Sequence, residues 1–193
     1  AQMQELLIPG EGWKLVGEGY KFTEGPATNA RGEVYFNDVG ASKTYKVVGG
    51  KAEEWLADSK RGDGQRFGPD GRLYANASGE LKILEWNPEA MFKILAWDAE
   101  GKSSVFAAGF NGNDLVVLHT GAIYATDPSI PGNSKVYYIS PKGEKKVVDT
   151  GLKFANGVTV SPDQTLLYVA DSRTHWVYSY VIQPDGGLAT KQK

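Results

Sequence analysis

Cysteine is absent from this sequence of 193 residues. Its absence excludes disulfides, thiolate zinc sites and cysteine nucleophiles together, leaving oxygen and imidazole donors as the metal chemistry open to the chain. No run of about eighteen apolar residues occurs, so no membrane-spanning helix is expected. Net charge is scarce as well: 21 Lys and Arg against 23 Asp and Glu give −2. That supplies neither the basic footprint of a nucleic-acid binder nor a polybasic membrane patch. The only histidines, His119 and His175, read as surface or packing residues rather than members of a catalytic triad. The first residues, AQMQELLIPG, lack the charged-then-apolar order of a signal peptide. A cytoplasmic protein and an exported one with its leader removed both fit.

What is present is turn chemistry. The 24 Gly and 9 Pro, with 41% hydrophobic and 11% aromatic residues, suit a globular, turn-rich protein. One stretch, FANGVTVSPDQTLLYVADS at 154–172, sets the pattern: a polar residue, an apolar strand, a Pro-Asp turn and a second strand ending in Asp. The phrase recurs three times upstream, and the second strand of each unit carries a tyrosine, at Tyr35, Tyr74, Tyr124 and Tyr168. A spacing of roughly 40 to 50 residues is the period of a four-stranded propeller blade. Each unit leaves an apolar face that one sheet cannot bury, so the units are expected to pack radially around an axis. A non-repeating β-sandwich is the alternative.

Taken in order, residues 1–20 are expected to lay an additional strand against the first or last blade. A hairpin turns at Gly49-Gly50. Residues 57–65, rich in charge, read as a crossover loop, and the second unit is placed from Phe67 to about Ala108. Two similar runs, LKILEWNPEA and FKILAWDAEG, suggest an extra strand pair or insertion there, with a weak short helix at 88–91. Trp13, Trp55, Trp86, Trp97 and Trp176 are read as core rather than as a sugar platform. Asp38, Asp127 and Asp171 end second strands and read first as turn residues.

Three polar residues lead apolar strands in equivalent places: Glu24, Asn113 and Asn156. Innermost propeller strands begin near the mouth of the central channel, so such residues converge there. One carboxylate with amide oxygens is a hard-oxygen set suited to Ca²⁺ or another divalent cation. The plainer role for each is a strand-end cap or Asx-turn. Asp114, next to Asn113, is a candidate partner or ligand.

TEGP at 23–26, GNDLVV at 112–117 followed by IYATDP, and NGVTVSPDQTLLYVADS at 156–172 together resemble the gluconolactonase, regucalcin (SMP-30) and luciferin-regenerating enzyme family. The resemblance implies an all-β, six-bladed lactonase-type propeller with about four blades in this chain, residues 1–193 forming one domain. It implies a small-molecule lactone or related ester as substrate and one divalent cation as cofactor, Ca²⁺ first, with Zn²⁺, Mg²⁺ or Mn²⁺ as alternatives. It implies Glu24 and Asn156 as metal ligands and Asn113 at the metal or substrate. Asn111 stands where some relatives carry an arginine. The family's catalytic aspartate belongs to an Asp-Gly phrase of a fifth blade, beyond Lys193, so no base is assigned here. A complementary chain, or self-association, would close the ring; the alternative is an inactive propeller segment serving as a binding module.

Overall fold

Turns fix this fold before packing does. Gly49 and Gly50 hold φ of +57° and +79°, the left-handed pair that a two-residue hairpin of the right twist requires. The computed structural model describes residues 9–79, 92–129 and 132–193. Repeated reversals produce four separate antiparallel meanders of four strands each. Blade 1 comprises β1 (Thr23–Thr28), β2 (Val34–Asp38), β3 (Lys43–Val48) and β4 (Lys51–Leu56); blade 2 comprises β5 (Gly62–Phe67), β6 (Leu73–Ala77), β7 (Lys93–Trp97) and β8 (Ser103–Ala108). Blade 3 comprises β9 (Leu115–Val117), β10 (Ile123–Asp127), β11 (Ser134–Ile139) and β12 (Lys145–Leu152). Blade 4 comprises β13 (Ala155–Val160), β14 (Leu166–Asp171), β15 (Trp176–Ile182) and β16 (Leu188–Gln192). The first strands, β1, β5, β9 and β13, pack beside one another in turn, so the sheets radiate as propeller blades. Among the described residues there is no helix, and none long and apolar enough to cross a membrane.

Three apolar clusters fill the three seams between blades. Leu56, Ala75, Leu95 and Trp97 join blades 1 and 2. Ile94, Phe110, Leu115 and Ile123 join blades 2 and 3, and Tyr124, Val136, Leu167 and Tyr180 join blades 3 and 4. Three of the four recurring tyrosines serve these seams. Tyr35 meets Phe67 of the next blade edge-on, and the buried Tyr124 donates its hydroxyl to the Gly186 carbonyl of blade 4. Tyr168 is half-buried and lines an open cavity with Val158 and Val177.

Two of the aspartates that end second strands, Asp38 and Asp171, hold the chain just ahead of their own blade's first strand, whereas Asp127 accepts the Ser129 N–H. Asp38 accepts the backbone N–H groups of Lys21, Phe22 and Ala41, and Asp171 those of Lys153, Phe154 and Arg173. Burial works to raise the pKa of each carboxyl, but these donors outweigh it and hold both below the ordinary aspartate value. A depressed folded pKa means that the unfolded chain takes up protons first. The contribution is therefore complete above about pH 4 and is lost as pH falls through the folded pKa. In thermal melts this contribution should fall away below about pH 4. The double variant Asp38→Asn, Asp171→Asn should melt lower at pH 7 and show a shallower acid slope; an unchanged slope would refute the assignment.

The structure corrects several expectations. Residues 62–65 of the expected crossover loop belong to β5, the innermost strand of blade 2, and only 57–61 connect the blades. Residues 9–20 form no strand, although the Val16 carbonyl accepts the Ala52 N–H beside β4. Trp97 is core, whereas Trp13 and Trp176 are exposed. Both histidines are exposed, as expected. The first eight residues, the short helix at 88–91, the LKILEWNPEA run at 81–90 and Trp86 within it lie outside the described residues.

Candidate metal centre

Each innermost strand breaks its ladder at the same place. In β1 the pairing jumps between Glu24 and Ala27, in β5 between Gly62 and Gln65, and in β13 between Ala155 and Val158. Just before β9, Asn113 and Asp114 together face Thr126, whose carbonyl accepts the Asn113 N–H and whose N–H donates to the Asp114 carbonyl. Two residues opposing one is a β-bulge, which re-aims side chains and favours the neighbourhood of sites. The residues at these breaks are Glu24, Asp63, Asn113 and Asn156. All four are half-buried and line one small cavity of about 110 Å³, with Gly25, Gly64, Arg66, Asp114 and Gly157 around them.

Glycine follows three of the four, and at two of them, Gly25 and Gly64, the neighbouring blade lies close. A Cβ on Gly64 would sit 2.4 Å from the Asp114 Oδ1 and 2.7 Å from the Asn113 carbonyl oxygen; a Cβ on Gly25 would sit 2.4 Å from the Asp63 carbonyl oxygen. Hydrogen bonds stitch the same ring. Asn37 donates to the Asp63 carbonyl at 2.7 Å, Gly64 N–H to the Asn113 carbonyl at 2.9 Å, and Thr126 to the Asn156 carbonyl at 2.7 Å. Asn113 donates its amide to Asp63 at 3.2 Å, and Asn156 donates its own to Ser172 at 3.0 Å.

Charge in the cavity is mostly negative. Arg66 is the one cation in the lining, and its guanidinium donates to the Pro26 and Gln65 carbonyls. Burial, then the Glu24 and Asp114 charges, push the Asp63 carboxyl up to about 7. Burial also raises Asp114, against the Val158 and Leu115 N–H groups and Arg66. Among the described residues no three Asp, Glu, His or Cys side chains gather as a ligand group, so a cation here would draw on carboxylates and amide oxygens together. Glu24, Asn113 and Asn156 meet that requirement: hard oxygens on separate blades around one cavity.

The structure brings together all three residues singled out in the sequence. It gives Asp114 a different setting: its Oδ2 accepts Val158 N–H at 2.9 Å and its Oδ1 accepts Leu115 N–H at 2.8 Å, a clamp between blades 3 and 4. Asp63 escaped notice because its segment looked too polar for a strand. Aligning GDG at 62–64 with the NG of blade 4 would have found it.

The sequence profile of the SMP-30/Gluconolactonase/LRE-like region matches residues 22–193. A gluconolactonase from Zymomonas mobilis is 31% identical over 192 residues, covering 86% of this chain and 50% of that protein; this chain thus spans about half the length of that relative. Two solved structures share the fold. A gluconolactonase from Xanthomonas campestris superposes with a TM-score of 0.72 at 23% identity, over 90% of this chain and 62% of that one. A calcium-binding regucalcin from Agrobacterium tumefaciens gives 0.68 at 17%, over 90% and 58%. A profile spanning nearly all of the chain, and a fold whose first strands bring TEGP, GND and NG to one cavity, agree: the chain belongs to the SMP-30/gluconolactonase/LRE-like family.

Proposed function

We propose that this chain is the cation-holding part of a divalent-metal-dependent hydrolase of sugar lactones or related esters. The observation that supports this most is the meeting of Glu24, Asn113 and Asn156, from three blades, at one axial cavity. Calcium is the cation this donor set favours, with Zn²⁺, Mg²⁺ and Mn²⁺ as alternatives, because the donors are all oxygens on a frame able to take several waters. A bound cation would polarise the lactone carbonyl and make a bound water more acidic. Glu24 contributes negative charge to the shell, while Asn113 and Asn156 contribute neutral oxygens. Asp114, pinned by two backbone N–H groups, keeps the Asn113 and Asn156 strands at fixed spacing. No residue of this chain is assigned as general base, and the chain spans about half the length of the Zymomonas protein.

The test is hydrolysis of D-glucono-1,5-lactone by the chain in a pH-stat. Calcium-dependent turnover, slow for want of the base but abolished by EDTA and restored by excess calcium, is expected. Hydrolysis no faster than buffer in saturating calcium would overturn the enzymatic reading for this chain. It would favour a binding module, which two open apolar blade faces support. One, on blade 1, is a cavity of about 520 Å³ lined by Val16, Tyr20, Val34, Phe36 and Val47; the other, on blade 4, holds Tyr168 and Val177. In that reading a complementary chain or a second copy covers these faces, and a monomer at all concentrations by sedimentation would count against it.

A further inference from the structure

An amide side chain presents an oxygen on one side and an NH₂ on the other, and a cation accepts only the oxygen. Whatever holds the NH₂ therefore decides whether an asparagine serves as a ligand. At Asn156 that role falls to the Ser172 hydroxyl, at 3.0 Å. At Asn113 it falls to Asp63, whose Oδ2 accepts the amide at 3.2 Å.

We propose that Asp63 is a positioning residue for the cation site, holding Asn113 with its amide oxygen turned to the cavity. This rests on the reading of that cavity as a cation site. The aspartates that serve turns here announce themselves: Asp38, Asp58, Asp70, Asp163 and Asp171 each accept backbone N–H groups. Among the described residues the Asp63 carboxylate accepts none, and its one hydrogen bond comes from the Asn113 amide. Its backbone, by contrast, is held on both sides. Its carbonyl accepts Asn37 of blade 1, and the next N–H, of Gly64, donates to the Asn113 carbonyl of blade 3. The bulge thus delivers a rigidly mounted carboxylate to one neighbour only. No ion pair engages Asp63 among the described residues, so a role in a surface charge network is not available to it.

The experiment is calcium titration by calorimetry of the full chain, unmodified and as Asp63→Ala, Asp63→Asn, Asn113→Ala and the double variant Asp63→Ala, Asn113→Ala. Calcium-free melting midpoints serve as the folding control. Loss of an outer partner of a ligand weakens metal binding by about 10- to 100-fold, and that loss is expected for Asp63→Ala. Asp63→Asn keeps an acceptor oxygen and should recover to within about fivefold, on the same scale. In the Asn113→Ala background the Asp63→Ala change should cost less than about threefold, since the group it positions is gone. Should Asp63→Ala melt far below the parent, Asp63→Leu provides a bulkier non-accepting side chain with the same expected loss. Unchanged affinity in Asp63→Ala, or an equal loss in both backgrounds, would overturn the positioning role. Absence of calcium binding by the unmodified chain would instead overturn the cation reading, and this inference with it.

Discussion

Replacing Glu24 with Gln is expected to lower calcium affinity by about 100-fold or more, because cation affinity in oxygen sites follows the charge of the ligands. The substitution keeps shape and an acceptor oxygen while removing the charge. Glu33 provides the control. That carboxylate is occupied by Lys46, Asn29 and Arg31, whose hydrogen bonds hold its pKa at about 2, and it does not line the cavity. Glu33→Gln should bind calcium as the parent does. Equal affinities for the two variants, measured by calorimetry in the same buffer, would remove Glu24 from the ligand set.

The second large effect concerns the seam rather than the ligands. Gly64→Ala should destabilise the chain by about 3 kcal/mol, the sum of an overpacking cost and a strained backbone hydrogen bond. The added methyl meets the Asp114 backbone Cα at 2.5 Å, so blades 2 and 3 must separate. In a chain of this size that corresponds to a fall in melting temperature of about 6–12 °C. Gly157 occupies the matching place in blade 4, yet a Cβ there meets nothing nearer than the Asp114 Oδ2 at 3.9 Å. Gly157→Ala should therefore stay within about 1 kcal/mol of the parent. Thermal melts of the two variants side by side decide the matter; similar midpoints would mean that the blade 2–3 seam is looser than described.

Much of this architecture was legible in the residues. The Gly49-Gly50 hairpin closes where both left-handed positions require it, and the tyrosine in the second strand of blades 1, 2 and 3 marks an apolar seam. Asp38 and Asp171 behave as the turn residues they resemble, reaching back to the N–H groups ahead of β1 and β13. Glu24, Asn113 and Asn156 were legible as a set because each leads a strand at the same phase of the repeat.

The strand that escaped the sequence did so for a physical reason. An innermost propeller strand lies against other innermost strands and the channel, so it need not alternate apolar with polar residues. GDGQRF reads as a loop by composition, yet β5 buries Gln65 and tucks Gly64 beneath Asp114. Asp63 was lost with that strand. Asp114 was ambiguous for another reason: nothing local tells a carboxylate that faces a cation from one that accepts N–H groups of the next blade. Trp176 was misjudged because aromatic size alone does not say which sheet face a residue occupies, and Trp13 because its segment joins no sheet.

Native mass spectrometry of the unmodified chain, sprayed with calcium and again after chelation, tests the central claim most directly. One tightly held Ca²⁺ per chain, removed by EDTA and returned by added calcium, is the predicted result. A folded chain that carries no calcium at millimolar concentration, or several ions without a defined stoichiometry, would contradict it.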